Sequence, residues 1–92
     1  MIITTNGSYR LRDKKRSKTF SHTAVYVSGT LGTAVATLSY YNSSGIAIPI
    51  EDGVLEINKQ YLMHDGVDKE IYIIVTSANE STAIDIESHG VV

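Results

Sequence analysis

Short segments in which apolar and polar side chains alternate follow one another along this chain, and this period of two residues constrains the fold most strongly. In the clearest segment, Lys69–Thr76, the inward positions are Ile71, Ile73 and Val75. Alternation of this kind places one face of a β-strand against a core. No segment shows the 3.6-residue period of an amphipathic helix, so the sequence predicts an all-β domain.

The alternating segments are separated by turn sequences about 8 to 12 residues apart. They span residues 2–5, 9–12, 19–27, 33–41, 46–50, 54–57, 69–76 and 82–88. We expect about seven strands in a small antiparallel β-sandwich, Ig-like or jelly-roll-like. A small closed barrel is the alternative, because closure also removes exposed strand edges.

Two glycines lie in the stretch Ser28–Tyr41, where one alternating run ends and the next begins. Gly29 and Gly32 therefore predict a tight connection, most simply a β-hairpin. A second hairpin is predicted at Asn42–Gly45. Pro49 lacks a backbone N–H, so its strand is expected at a sheet edge. We expect a turn at residues 51–53 and an irregular connection at residues 58–67.

The chain has 92 residues and no cysteine. Residues 1–92 are expected to form one domain with a thin core, in which residues 1–18 form an extended N-terminal arm and basic loop. No disulfide is available to stabilise it, so association with other chains is a natural remedy. The sequence shows neither a signal peptide nor a membrane span, so we expect synthesis in a cytoplasm.

Charge is separated along the chain. Residues 1–50 hold six cationic residues against one acidic residue, whereas residues 51–92 hold nine acidic residues against two cationic ones. Such asymmetry favours docking on a surface of opposite charge, or contacts between copies. A basic loop and an acidic face that are both simply solvated remain the alternative.

No residue pattern predicts catalysis, a cofactor or a metal site. His22, His64 and His89 have no neighbouring histidine at ligand spacing, and no nucleophile has a base placed beside it by a sequence motif. Acidic side chains near His64 do not match the spacing of a helix-loop-helix calcium site. Gly29-x-x-Gly32 lacks the lysine of a phosphate-binding loop.

A basic stretch with flanking aromatic residues raises the alternative of a small barrel that binds single-stranded nucleic acid. Its cationic members are Arg10, Arg12, Lys14, Lys15, Arg16 and Lys18, flanked by Tyr9 and Phe20. The acidic remainder of the chain argues against this function, because net negative charge opposes phosphate binding.

The segment Val27–Tyr41, the turn Asn42–Gly45 and the aliphatic run Ile46–Ile50 resemble small structural proteins of tailed bacteriophages. The opening residues 4–11 and the closing segment 71–86 fit the same layout. The resemblance implies a β-sandwich component of the virion, without catalytic residues or cofactors, that decorates or cements the capsid. A position at the head-to-tail junction or on the tail is the alternative within this class.

The resemblance implies a capsid decoration protein that binds across neighbouring major capsid subunits and forms a homo-oligomer, a dimer or a trimer, on the capsid surface. Membrane binding is not expected. The residues expected to dock on the partner are the basic stretch together with three tyrosines: Arg10, Arg12, Lys14, Lys15, Arg16, Lys18, Tyr40, Tyr41 and Tyr61. Strand edges at residues 2–5 or 91–92 are expected to pair with a neighbouring sheet.

Overall fold

The computed structural model describes residues 1–12, 22–64 and 70–91. Within these residues the secondary structure consists of eight strands and no helix. They are β1 (Ile2–Ile3), β2 (Gly7–Arg12), β3 (His22–Thr30), β4 (Val35–Tyr41), β5 (Ala47–Val54), β6 (Lys59–His64), β7 (Ile71–Thr76) and β8 (Ala83–Val91). The described part of the chain therefore contains no helix long and apolar enough to cross a membrane.

Two four-stranded antiparallel sheets form a β-sandwich, as the alternation predicts. The first sheet has the order β1-β8-β3-β6 and the second has the order β2-β7-β4-β5. Strands 1 and 8, 2 and 7, 3 and 6, and 4 and 5 lie side by side. The chain is thus a long antiparallel ribbon, doubled back at the β4–β5 hairpin and rolled into two sheets, which is the jelly-roll arrangement. The closed-barrel alternative is wrong, because the described strands form two separate sheets.

The core lies between the sheets and is aliphatic. Alternate residues of the central strands are almost completely buried: Val25, Val27, Ile84 and Ile86 from the first sheet, and Ala36, Leu38, Ile71, Ile73 and Val75 from the second. Ile3, Ala34 and Leu55 complete the cluster. The inward positions predicted for β7 are therefore confirmed.

The hairpin predicted at Ser28–Tyr41 is wrong, because β3 and β4 belong to different sheets. The connection at residues 31–34 crosses from one sheet to the other. Just before this connection, Gly29 has a φ of +92°, and a Cβ added there would lie 2.2 Å from the carbonyl oxygen of Ala83. The glycine-rich stretch therefore lets β3 approach β8 closely before the chain changes sheets.

The hairpin predicted at Asn42–Gly45 is confirmed. The side chain of Asn42 accepts hydrogen bonds from the backbone N–H groups of Ser44 and Ile46, each at 2.9 Å. Gly45 adopts a φ of +79°. Pro49 lies on β5, the edge strand of its sheet, as expected.

The segment between β5 and β7 differs from the expectation in two ways. No turn separates residues 51–53 from the preceding strand, because β5 continues to Val54 through an irregularity in its pairing with β4. Val54 ends β5, and residues 55–57 of the predicted strand are a connection. Part of the predicted irregular connection is instead β6, which pairs with β3. The β6 sequence KQYLMH does not alternate between apolar and polar residues, because the apolar Leu62 points outward and is 49% exposed. Alternation therefore does not predict this strand.

Four connections between the sheets meet at one end of the sandwich, which we call the crossover end: residues 4–6, 31–34, 55–58 and 77–82. Thr82 is 3% exposed and its hydroxyl donates to the carbonyl of Leu31 at 2.9 Å while accepting from the N–H of Asn79 at 2.9 Å. The side chain of Asn6 accepts a hydrogen bond from the N–H of Ala78, and the hydroxyl of Thr33 donates to the carbonyl of Ser77. These bonds join connections that are distant in sequence.

Thr82→Val should lower the free energy of unfolding by about 2 kcal/mol, because it removes two partly buried hydrogen bonds, one to the carbonyl of Leu31 and one from the N–H of Asn79. Thr76→Val is the matched control, since Thr76 is exposed on β7. Its effect should stay within about 0.5 kcal/mol. Urea unfolding measures both, and equal effects would contradict the role given to Thr82.

Gly29→Ala should cost about 3 kcal/mol or more, because it combines an unfavourable φ with a clash against the backbone of Ala83. Gly45→Ala shares the positive φ but meets nothing within 4 Å. It should cost only about 1 kcal/mol. Thermal unfolding compares the two variants, and a smaller loss at position 29 than at position 45 would refute the close approach of β3 to β8.

Candidate protein-interaction surface

The outer face of the β2-β7-β4-β5 sheet carries aromatic and aliphatic side chains. Because Ala36 and Leu38 point into the core, the odd-numbered residues of β4 point outward, and register gives their neighbours on the adjacent strands. We call this surface the tyrosine face and define it by Arg10, Val35, Thr37, Tyr41, Val54, Tyr72 and Ile74. Val35 and Val54 are 43% and 54% exposed.

Two tyrosines occupy the centre of the tyrosine face. The ring centroids of Tyr41 and Tyr72 lie 5.1 Å apart with an angle of 71° between the planes, an edge-to-face contact. The Tyr41 hydroxyl donates to the Ser8 hydroxyl at 2.9 Å. The Tyr72 hydroxyl donates to the carboxylate of Glu70. Both rings are thus held in defined positions without being buried.

Arg10 lies directly opposite Tyr72 in the β2–β7 ladder. Ser39, in the same row, is only 2% exposed although it lies on the outer side of its sheet, because Tyr72 and Pro49 flank it. The result is a closely packed patch of tyrosine, arginine and small residues. Tyrosine and arginine are enriched where protein interfaces concentrate their binding energy.

Glu70 affects the ionisation of Tyr72. The hydrogen bond from the Tyr72 hydroxyl to Glu70 is the main cause that raises the pKa of Tyr72, with burial and the negative charge of Glu70 acting in the same direction and Arg10 opposing them. The phenol therefore stays protonated and remains a hydrogen-bond donor at neutral pH.

The structure brings together only some of the residues predicted from the sequence. Arg10 and Tyr41 lie on the tyrosine face, whereas Tyr40 points inward and packs against the core. Tyr61 is half-buried against the core on β6, and its hydroxyl accepts the N–H of Glu56 at 2.7 Å. The Arg12 side chain and the remaining cations lie outside what the structure describes: Lys14, Lys15, Arg16 and Lys18.

The opposite outer face, on the β1-β8-β3-β6 sheet, has a different character. It carries Asp85 and Glu87 of β8 beside Ser28 and Tyr26 of β3. All three histidines lie in strands of this sheet, and His22 faces His64 across the β3–β6 ladder. Within the described residues, no group of three or more potential ligands is placed to hold a metal ion.

The strand edges proposed from the sequence are short. At residues 2–5 the strand comprises only Ile2 and Ile3, which pair with β8. Val91 pairs with His22 inside the sheet, and Val92 lies outside the described residues. Tyr72 alternates with the inward residues of β7 and therefore points outward, but its contact with Tyr41 depends on the order of strands in the sheet.

Glu70→Gln should lower the pKa of Tyr72 toward the ordinary tyrosine value, because the charged acceptor is removed. Tyrosinate absorbance measured against pH should then show one phenol titrating earlier than in the original protein, and Tyr72→Phe should abolish that difference. Since the raised pKa favours the protonated folded state, folding stability should fall as pH rises above the ordinary tyrosine value. Glu87→Gln, on the opposite face, is the control, and an equal effect there would contradict the assignment.

Comparison with known proteins gives no match of any of the three kinds sought. No family model matches the sequence, and neither a curated protein nor a solved structure matches the chain.

Proposed function

We propose that this chain is a non-enzymatic structural protein of a bacteriophage virion that decorates the capsid and binds neighbouring major capsid subunits through its tyrosine face. The observation on which the proposal rests is the pair Tyr41 and Tyr72, held in place beside Arg10 on the exterior of a sheet. Fixed aromatic side chains lose little conformational entropy on binding, so they make efficient anchors for a partner.

The charges around the tyrosine face favour a protein partner. Arg10 lies on this face, while Asp85 and Glu87 lie on the opposite side of the sandwich. The centres of protein interfaces are depleted in acidic residues and lysine. We therefore expect the tyrosine face to meet the shell and the face with Asp85 and Glu87 to stay in solvent.

Two further considerations support a place in the virion. The turn and strand sequences resemble small structural proteins of tailed phages, and jelly-roll sandwiches occur in viral capsid proteins. Lectins and cupins use the same architecture, so the fold alone does not choose among these functions. On a capsid, many copies of a modest contact act on one closed lattice, and this multivalency strengthens the shell.

Shells of the major capsid protein encoded in the same genome test the proposal by co-sedimentation. The protein should bind them, and Tyr41→Ser with Tyr72→Ser should weaken binding about 30-fold or more, since central interface tyrosines contribute about 1 kcal/mol or more each. Tyr26→Ser is the matched control, because Tyr26 is 38% exposed on the opposite face and Tyr41 is 37% exposed. It should leave binding unchanged.

Other results would overturn the assignment. Binding to tail or junction proteins but not to shells would move the protein to another part of the virion. Tight, salt-sensitive binding of single-stranded oligonucleotides would instead support the nucleic-acid alternative. Changing Lys14, Lys15 and Arg16 to Ser at low salt tests the basic stretch separately, and unaltered shell occupancy would remove it from the interface.

A further inference from the structure

The four sheet edges differ in how well they are protected against pairing with another chain. The pairing of β2 shifts between Arg10 and Arg12, and β5 contains Pro49 and an irregularity opposite Thr37 and Ser39. Bulges, prolines and charges of this kind discourage edge pairing. The remaining edges belong to the other sheet, where β1 covers the start of β8 and β6 forms the second edge.

The β6 edge has none of these irregularities. Lys59–His64 pairs with β3 in unbroken register over all six residues. It contains no proline, and its only lysine stands at its first position. In the described part of the chain no strand pairs with its other side. By the rules that govern natural sheets, such an edge is available to another strand.

The hydrogen-bond pattern shows which residues of β6 face outward. Met1 and Ile86 exchange both backbone hydrogen bonds, so the even-numbered residues of β8 point toward β1. The odd-numbered residues of β8 therefore form backbone hydrogen bonds with the even-numbered residues of β3. The odd-numbered residues of β3 are then left to bond the odd-numbered residues of β6. The N–H and C=O groups of Gln60, Leu62 and His64 are therefore directed away from the sheet.

Two large apolar side chains are exposed beside this edge. Leu62 is 49% exposed, and Tyr26, on the same face of the neighbouring strand, is 38% exposed. Asp85 and Glu87 lie on β8, on the far side of β3. The edge thus offers backbone hydrogen bonds together with an uncharged, partly apolar strip.

We infer that a second copy of this chain binds the β6 edge, with the two β6 strands antiparallel and a two-fold axis at Leu62. In this register Gln60 faces His64 of the second copy and Leu62 faces Leu62, so all the outward backbone groups of both strands find partners. The two Lys59 side chains lie at opposite ends of the shared ladder, where they do not repel each other. The two four-stranded sheets become one continuous sheet, and the contact is closed and symmetric.

This contact lies on the sheet opposite the tyrosine face. The two-fold axis is perpendicular to the continuous sheet, so both tyrosine faces lie on the same side of the dimer. Dimerisation does not depend on the proposed binding to a shell. The two proposals fail independently, because one is read from the mass of the free protein and the other from co-sedimentation.

Sedimentation equilibrium over a range of concentrations tests the inference. The protein should form dimers, and Leu62→Lys should weaken dimerisation about tenfold or more, because it places like charges opposite each other at the axis. Ile2→Lys is the matched control, since Ile2 is 68% exposed at the other edge of the same sheet. It should leave the dimer intact.

Gln60→Pro provides a second variant that keeps Leu62. Its N–H points away from β3, so proline removes a bond to the second copy without removing one from the fold. It should weaken the dimer while the thermal unfolding of the monomer changes little. A wild-type chain that remains monomeric, a trimer, or dimers unaffected by both β6 variants would overturn the inference. The inference would also be overturned if the Leu62 amide were protected from hydrogen exchange only when the protein is bound to capsid shells, because the shell protein would then be the partner of this edge.

Discussion

The hydrogen bonds at the crossover end are the constraint on which the rest of this structure depends. Two thin sheets with an aliphatic interior have no preferred alignment from burial alone, because the hydrophobic effect is not directional. Thr82 connects residues 77–82 to Leu31, and Asn6 connects them to residues 4–6. Backbone bonds from Leu55 to Ala36 and from Asn58 to Val27 attach the remaining connection. The sheets are therefore aligned by specific polar contacts at one end and by the packed core along their length.

That alignment gives the two outer faces their separate characters. Because Ala36, Leu38, Ile73 and Val75 must point inward, Tyr41 and Tyr72 must point outward from the same sheet, and pairing with β2 brings Arg10 beside them. On the other sheet the same requirement turns Asp85, Glu87 and Leu62 outward. The surfaces proposed for shell binding and for dimerisation thus follow from burial of the alternate side chains.

Much of the fold can be predicted from the sequence where the information is local. Alternation in β7 gives its inward residues, the Asn42–Gly45 turn gives a hairpin, and Pro49 gives an edge. The connection after Gly29 cannot be assigned this way, because a glycine with positive φ suits a hairpin and a crossover equally well. The carbonyl of Ala83, which excludes a Cβ at position 29, comes from a strand more than fifty residues away.

The same difficulty applies to the surface. Strand periodicity places Tyr41 and Tyr72 outward, whereas Tyr40 and Tyr61 are suggested as anchors only by residue type, because tyrosine is enriched in protein interfaces. Tyr40 is two residues after the inward Leu38, so it lies on the same side of β4 and packs against the core. Tyr61 packs against the core from β6. The jelly-roll order brings Arg10 next to Tyr72 through a pairing between β2 and β7, which no local pattern encodes.

Native-state amide exchange tests the central claim about the crossover end most directly. The N–H groups of Leu55, Asn58 and Ala78 do not belong to a regular ladder, yet each donates to a partner in another segment at this end: the carbonyls of Ala36 and Val27 and the side chain of Asn6. If these bonds align the two sheets, their amides should exchange only through global unfolding, at the rates and with the denaturant dependence of Val25 and Ile73 in the core. Exchange about a hundredfold faster and independent of denaturant would show that the crossover end opens alone, and would contradict the account.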